Sequence, residues 1–368
     1  MKISENSSAI YAQRRLALME RVREQELDLL LIVHPTNVRY LTGFRGDSTY
    51  LLLGPQTARL VSDSRYETQL KQECPDVPAL IRTARTPLFE FLCSQLKKLR
   101  VRRLGFEAHH LSVAVWQQMQ QTLRSVEWVP LEGWIETARQ IKDSGEIAAI
   151  RRAVSLAERG FYAAWYDRLK EMSERSLAHE LEHRMRRFGA IKAAFEPIVG
   201  VGPNSALPHY RSGDCRLQAA NWLLMDWGAI EPEGYHSDLT RTFCLGKTRA
   251  KLLKIREVVF AAHQAAVSQL RPGVPCREVD QAARQLIQDA GYGRYFGHGL
   301  GHGIGLEIHE GPRLSPLSQD VLQPGMVITI EPGIYLPGVG GVRIEDDYLI
   351  TAEGCERLSQ LPLLEPEL

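Results

Sequence analysis

The feature that most constrains the fold of this chain is a carboxylate inside each of two neighbouring apolar segments. Residues 221–228 and 237–245 are rich in strand-forming side chains, and each run contains one aspartate, Asp226 or Asp238. Turn-forming residues lie between them, so a hairpin centred near Pro232 is predicted to place the two aspartates opposite each other. Facing like charges are destabilising, and burying them without a partner costs far more.

A second strand pair repeats this arrangement further along the chain. Residues 327–335 and 342–350 flank a glycine-rich connection. A hairpin centred on Gly338 places Glu331 opposite Glu345. One such hairpin alone would fit solvated acids or ordinary ion pairs. Two of them, together with a group of histidines, favour a bound cation, which removes the repulsion and the burial cost together.

Histidine is the residue type with the most uneven distribution. The chain has 11 histidines, and His298, His302 and His309 fall within a glycine-rich segment. Glycine permits a close backbone approach, so these rings can be held against a site. Oxygen ligands with one imidazole suit Mn²⁺, Co²⁺, Fe²⁺ or Zn²⁺. The charge of four carboxylates predicts two divalent ions, and two-metal sites commonly activate water.

The chain length and the order of the predicted strands and helices indicate two domains. The chain has 368 residues, and 44% of them are hydrophobic, which is enough for a large core. The first third alternates short strands with helices, as in an α/β domain. A turn cluster at 130–133 and a long helical pattern from residue 144 place the boundary near residue 135. We therefore predict domains over 1–135 and 136–368, the second mixing helices with strand pairs (α+β).

Composition excludes several other classes of protein. A formal net charge of +1 argues against a nucleic-acid partner, and no apolar run approaches the length of a membrane span. The polar residues 1–6 show no secretory signal. The cysteines lack C-x-x-C spacing, which favours a reducing, cytoplasmic location over a disulfide scaffold.

These segments together resemble the pita-bread-fold metallopeptidases of the proline dipeptidase and aminopeptidase P (Xaa-Pro peptidase) group. The resemblance covers nearly the whole chain, including an N-terminal part that is similar to the creatinase-like domain of this group. The segments that carry it are 226–243 (DWGAIEPEGYHSDLTRTF), 298–312 (HGLGHGIGLEIHEGP), 328–335 (ITIEPGIY), 342–347 (VRIEDD), 204–210 (NSALPHY), 37–53 (NVRYLTGFRGDSTYLLL) and 63–69 (DSRYETQ).

The resemblance implies a fold and a metal site. A creatinase-like α/β domain is expected to precede a pita-bread catalytic domain. The five metal-ligand positions of the group fall on Asp226, Asp238, His302, Glu331 and Glu345, of which Asp238 and Glu345 bridge the ions. The cofactors implied are two divalent metal ions, with Mn²⁺ favoured over Co²⁺, Fe²⁺ or Zn²⁺.

The resemblance also implies an activity, namely hydrolysis of the bond between an N-terminal residue and proline by a hydroxide that bridges the ions. Glu331 is the expected proton acceptor, His309 the oxyanion partner and His209 a substrate contact. The positions expected to orient ligands or substrate are His298, Tyr335 and Arg343. Proline-containing peptides are the expected partners, without nucleic acid or membrane, and a homodimer is expected. The resemblance leaves open whether the enzyme is a dipeptidase or an aminopeptidase.

Three alternatives remain beside this interpretation. The same scaffold can serve a metal-dependent hydrolase or lyase of a small non-peptide substrate. A non-enzymatic binding module is disfavoured, because such a protein would be expected to lose ligands. The HELEH segment at His179 to His183 matches a zinc-protease motif, but nearby arginines indicate a solvated helix face. Asp346 and Asp347 are interpreted as acids that support the ligands or lie at the surface.

Overall fold

The protein consists of two compact units, Met1–Ala138 and Arg139–Leu368. The structure is a computed structural model, and it describes residues 5–166 and 171–364. Residues 1–4, part of the segment used to argue against a secretory signal, lie outside the described residues. The assignment of an accessory and a catalytic domain divided at residue 135 stays a prediction.

The first unit is built on a mixed sheet. Its strands are β1 (Leu29–Ile32), β2 (Tyr50–Gly54), β3 (Thr57–Asp63), β4 (Ala79–Arg82), β5 (Arg103–Glu107) and β6 (Glu127–Leu131). They lie in the order β4-β3-β2-β1-β5-β6. The apolar run of β1 is buried along its whole length, because β1 pairs antiparallel with β2 on one side and parallel with β5 on the other. This confirms the α/β pattern predicted for the first third of the chain.

Helices alternate with these strands. They are α1 (Glu5–Glu24), α2 (Pro35–Thr42), α3 (Glu67–Glu73), α4 (Leu88–Lys98), α5 (Val113–Thr122) and α6 (Trp134–Gln140), which spans the division between the units. Helix α2 begins at a proline, whose fixed φ suits the first helical position. It ends at Gly43, whose φ of 79° is the left-handed conformation that glycine adopts at little cost.

The second unit combines several small antiparallel sheets with helices. Its strands are β7 (Lys192–Ala193), β8 (Ile198–Val201), β9 (Trp222–Trp227), β10 (Ala229–Ile230), β11 (Leu239–Cys244), β12 (Gly301–Gly303), β13 (Glu310–Leu314), β14 (Val327–Ile330), β15 (Gly333–Leu336), β16 (Gly340–Arg343), β17 (Asp346–Ile350) and β18 (Cys355–Arg357). One sheet has the order β11-β9-β8 and another the order β13-β12-β14-β17-β18. Two of the predicted ligands, Asp226 and His302, lie in these two sheets, and the other three, Asp238, Glu331 and Glu345, lie directly next to their strands.

Helices cover these sheets. They are α7 (Ser144–Tyr166), α8 (Glu174–Arg187), α9 (Ala250–Val267) and α10 (Cys276–Asp289), with short 3₁₀ turns at Gly202–Ala206, Leu217–Ala219 and Gly293–Tyr295. The apolar faces of α9 and α10 pack in one core with strand residues such as Ile328 and Val342. Within the described ranges, 5–166 and 171–364, we find no helix that is both long and apolar enough to cross a membrane.

The first predicted hairpin forms with a different register from the one expected. Asp226 lies opposite Thr240, not opposite Asp238. The backbone N–H of Gly234 bonds to the carbonyl of Glu231, and Gly234 has a φ of 86°. This turn, which ends in a left-handed glycine, centres the hairpin on Glu233, one residue beyond Pro232, so the partner of Asp226 shifts by two residues. The prediction that Asp226 and Asp238 face each other is therefore wrong.

The second hairpin has the predicted register. Ile330 pairs with Asp346 and Gly333 pairs with Arg343, so the centre is Gly338 as expected. The ladder is interrupted between these two pairs, where Glu331 and Glu345 lie. Glu345 instead forms a bridge with Thr240, which joins the two hairpins.

Candidate metal centre

One cavity of about 690 Å³ in the second unit brings together the ten predicted site residues. The lining residues include the predicted ligands Asp226, Asp238, His302, Glu331 and Glu345. They also include the residues predicted to contact substrate or orient the site, His209, His298, His309, Tyr335 and Arg343. The roles of these ten residues stay predictions.

Strand ends and strand interruptions place the five predicted ligands. Asp226 lies within β9, Asp238 immediately precedes β11 and His302 lies within β12. Glu331 follows β14, and Glu345 lies between β16 and β17. Such positions point side chains into a cavity while the flanking ladders hold the backbone.

Three of these side chains converge most closely. Asp238, His302 and Glu345 each offer one ligand atom, and these atoms lie within 4.8 Å of one another. The Nε2 atom of His302 is 3.6 Å from a carboxylate oxygen of Asp238 and 3.6 Å from one of Glu331. Its Nδ1 atom lies 3.0 Å from the carbonyl oxygen of Gly303. With the proton on Nδ1, that atom donates to Gly303 and Nε2 presents a lone pair to the acids, as metal-binding histidines do.

Burial dominates the electrostatics of this cluster. It raises the pKa of Asp238 and of Glu331 well above their ordinary values, and the like charge of Glu345 adds to both shifts. Burial, followed by the charge of Asp226, raises the pKa of Glu345 to about 8. Burial lowers the pKa of His302 to about 3, so its ring is neutral. Neutral imidazole and clustered acids are the state that a cation would stabilise.

The residues present fit a pair of divalent ions. The Oδ1 atom of Asp226 is buried and has no hydrogen-bond partner among the described residues. Oxygen atoms from four carboxylates and one imidazole nitrogen form the kind of donor set that Mn²⁺, Fe²⁺, Co²⁺ or Zn²⁺ accepts. A cation would satisfy the orphaned oxygen and offset the repulsion that raises the pKa values of the acids.

A hydrogen-bonded chain orients one side of the cavity. Arg343 donates to Asp226 at 2.5 Å and to the hydroxyl of Tyr335 at 2.7 Å. That hydroxyl lies 3.0 Å from Nε2 of His298. Burial raises the pKa of Tyr335 to about 12, and burial lowers the pKa of His298 to about 4. Arg343 is thus the cation that compensates Asp226 and fixes the tyrosine.

Thr240 is a residue of the site that was not predicted from the sequence. Its hydroxyl donates to Glu345 at 2.6 Å and accepts from Nε of Arg343 at 3.0 Å. Asp226 is its partner across the β9–β11 pair. Thr240 therefore contacts both hairpins, and no spacing in the sequence pointed to it.

Asp346 and Asp347 are not surface acids. Both are fully buried, and Arg241 donates to Asp346 in an ion pair that is also buried. Asp347 accepts the backbone N–H of Asp238 at 3.1 Å and so helps to hold a predicted ligand. The interpretation of these acids as supporting groups agrees with this geometry, and the surface alternative is wrong.

The rest of the cavity wall has a polar and an apolar part. The ring of His309 stands nearly perpendicular to that of His302, with centroids 4.4 Å apart. Arg313 is exposed and lines the same cavity. The apolar part consists of Phe195, Ile198, Pro208, Ile308 and Leu314. The cavity can thus hold a ligand that has both a charged end and a compact apolar group.

The HELEH segment has a different environment. His179 and His183 are exposed on α8, and the acids between them pair with arginines of the same helix, Glu180 with Arg184 and Glu182 with Arg186. These ion pairs support the prediction of a solvated face.

Comparison with known proteins gives the family. The model of metallopeptidase family M24 matches residues 148–352, and the model of the creatinase/prolidase N-terminal domain matches residues 14–141. An Xaa-Pro dipeptidase of Pyrococcus furiosus is 36% identical over 349 residues, which are 95% of this chain and 98% of that protein.

Solved structures agree with this comparison. An Xaa-Pro dipeptidase from Bacillus anthracis has a TM-score of 0.91 at 35% identity, covering 96% of this chain and 98% of that one. An X-Pro aminopeptidase from Thermotoga maritima has a TM-score of 0.85 at 32% identity, covering 94% of this chain and 99% of that one. The cavity with its five candidate ligands and the matches across both units lead to one conclusion: the chain belongs to metallopeptidase family M24 and has the pita-bread fold.

Proposed function

We propose that this protein is a metal-dependent exopeptidase that hydrolyses the bond between an N-terminal residue and proline. The observation that carries the proposal is one cavity that joins four acids and an imidazole to an apolar wall. The relatives named Xaa-Pro dipeptidase and X-Pro aminopeptidase, similar over nearly the whole chain, support the substrate class.

Asp226, Asp238, His302, Glu331 and Glu345 would hold two divalent ions. When bound, such ions supply Lewis acidity that activates water and polarises the scissile carbonyl. Mn²⁺ is our proposed ion, because the donor set is dominated by carboxylate oxygens. Metal analysis of protein that was purified without added metal tests this choice against Co²⁺, Fe²⁺ and Zn²⁺.

The proton transfers are assigned to side chains of the chain itself. Glu331 accepts a proton as water attacks the carbonyl carbon, and it delivers that proton to the proline nitrogen as the C–N bond breaks. Burial lowers the pKa of His309, so its neutral ring can donate a hydrogen bond to the oxyanion that develops. His209 contacts the substrate on its proline side.

The cavity wall explains a preference for proline in physical terms. The proline nitrogen carries no N–H after peptide-bond formation, so recognition uses ring shape and carbonyl contacts. Phe195, Ile198 and Leu314 give the pyrrolidine ring an apolar surface. His298, Tyr335 and Arg343 form the hydrogen-bonded chain that keeps Asp226 and the adjacent wall in place.

The decisive assay is release of the N-terminal residue from an Xaa-Pro dipeptide and an Xaa-Pro-Xaa tripeptide by protein loaded with Mn²⁺. We expect cleavage of at least one of them and none of the matched Xaa-Ala peptides. Glu331→Gln is expected to lose activity by at least about a hundredfold, as removal of a general base does. Glu353→Gln, at an exposed acid of the same unit, is the control. Metal-loaded protein that cleaves neither proline peptide would refute the proposal.

Assembly and location complete the proposal. A homodimer is proposed from the resemblance to this group, and light scattering coupled to size-exclusion chromatography tests it. A cytoplasmic location is supported by the six cysteines, which are all free. Cell fractionation tests the location.

A further inference from the structure

The first unit contains a separate group of metal-ligating side chains, namely His34, His110 and Glu136. Each offers one ligand atom, and these atoms lie within 4.8 Å of one another. His34 directly precedes α2, His110 follows β5, and Glu136 belongs to α6. The proposed hydrolysis assigns no role to any of the three.

The two imidazole rings of this group are stacked. Their centroids are 3.8 Å apart and their planes differ by 8°. Nε2 of His110 lies 3.0 Å from a carboxylate oxygen of Glu136. An imidazole ring has two nitrogen atoms, and in its neutral form one of them can serve as a metal donor. The group therefore presents two nitrogen donors and one oxygen donor to the same small volume.

One buried residue, Glu107, holds both histidines. Its carboxylate accepts the backbone N–H groups of Val33 at 2.6 Å and His34 at 2.8 Å. Its backbone carbonyl accepts the N–H of His110 at 3.2 Å. Glu107 is 7% exposed, so these bonds lie in the interior of the unit. The backbone positions of the two histidines are thus fixed before any ligand binds.

Asn37 extends this support to the glutamate. The side-chain amide of Asn37, which is fully buried, donates to Glu107 and to Glu136, both at 2.6 Å. Burial works against ionisation of Glu136, but the hydrogen bonds from Asn37 and His110 outweigh it and lower the pKa of this carboxyl. The glutamate is thus held with a carboxylate oxygen beside the two imidazole rings.

We propose that His34, His110 and Glu136 bind one divalent transition-metal ion of the Zn²⁺ class in the first unit. Two imidazoles and a carboxylate are a donor set that Zn²⁺ accepts, with the remaining position taken by water. The His110 side chain is 26% exposed, which gives an ion access from solvent. Glu107 and Asn37 act as positioning residues, because they contact the proposed ligands and do not reach the ion.

The test is a count of bound zinc in the full chain. Three proteins are dialysed against micromolar Zn²⁺, namely the wild type, His110→Ala and His109→Ala. Bound zinc per chain is then measured by inductively coupled plasma mass spectrometry. His109 is a matched control, because it is the adjacent histidine, is 67% exposed and is not part of the group. We expect wild type and His109→Ala to hold one more zinc per chain than His110→Ala, with peptide hydrolysis within twofold in all three.

Other results would overturn the proposal. Equal zinc in all three proteins would mean that the rings stack without a metal, and an equal loss in both variants would mean adventitious binding to surface histidines. Glu136→Gln is the second variant, and it is expected to lose the same single zinc. Because the readout is a difference between variants, it does not depend on the ions of the candidate metal centre. It therefore stays informative even if the proposed peptidase activity fails.

Discussion

Replacement of Thr240 by valine tests whether a hydroxyl between the two hairpins sets metal affinity. The hydroxyl donates to Glu345 at 2.6 Å and accepts from Arg343 at 3.0 Å. Valine has nearly the same shape, so the substitution removes these bonds without opening a cavity. A hydrogen bond to a charged group contributes about 1.5–3 kcal/mol. If the bond to Glu345 contributes this energy only when the carboxylate is charged with an ion bound, its loss weakens the affinity for the ions by up to about 10- to 150-fold.

The assay for Thr240→Val is calorimetric titration of metal-free protein with Mn²⁺, together with kcat/KM on an Xaa-Pro peptide. Thr242→Val is the matched control on the same strand face, because Thr242 is also buried and, among the residues that the structure describes, its hydroxyl bonds to the backbone of Arg343. Thr240→Ser, which keeps the hydroxyl, is expected to recover most of the affinity. If Thr240→Val and Thr242→Val bind Mn²⁺ within threefold of each other, the hydroxyl does not have the role argued from its contacts.

Three further predictions concern pH, substrate length and metal removal. Burial lowers the pKa of His263 from 6.5 to about 3. The unfolded chain therefore takes up a proton first, and wild-type protein loses about 1.4 kcal/mol of stability per pH unit below 6.5. His263→Leu should lose this slope in urea denaturation at pH 5 and 6.5, whereas an unchanged slope would refute the assignment. Because Arg313 is an exposed cation on the cavity wall, we propose that it pairs with the free carboxylate of a bound dipeptide, so Arg313→Ala should reduce kcat/KM at least about tenfold for an Xaa-Pro dipeptide and less for a tripeptide. An equal loss on both substrates would contradict that pairing. Chelation should lower the melting temperature more at pH 8 than at pH 5. Burial raises the pKa values of Asp238 and Glu345 in the folded, metal-free protein. This protein is therefore stable while the two acids are protonated, and it loses stability as rising pH ionises them. An equal drop at both pH values would refute this account of the acids.

The two hairpins show what local sequence can predict. The centre at Gly338 follows from a glycine-rich connection between two symmetric apolar runs, and the observed pairs agree with it. The centre near Pro232 is wrong by one residue, because the turn that ends in the left-handed Gly234 lies one position further along the chain. Composition identifies a turn, but the backbone dihedrals within that turn set the register.

Local sequence does not predict which residues from distant segments come into contact. Thr240 and Glu345 are 105 positions apart, and they meet only because β11 bridges to the interruption between β16 and β17. Threonine inside a strand is ordinary, so its identity carries no signal. The stacked pair of His34 and His110 was missed for the same reason, because their proximity depends on the parallel pairing of β1 with β5.

Two consecutive acids show how burial alone fails to mark a functional residue. Glu345 and Asp346 are 2% and 0% exposed, respectively, and they point to opposite sides because they are neighbours in an extended chain. Asp346 has a dedicated cation in Arg241 at 3.0 Å, and this pair is buried with it. Glu345 faces Asp238 and His302 in the group that could hold a metal ion, and within the described part of the chain its carboxylate accepts a hydrogen bond from the neutral Thr240 hydroxyl. A formal net charge of +1 for the chain therefore conceals a local excess of negative charge, and that excess is what makes Glu345 a candidate ion-binding acid and Asp346 a partner in a structural ion pair.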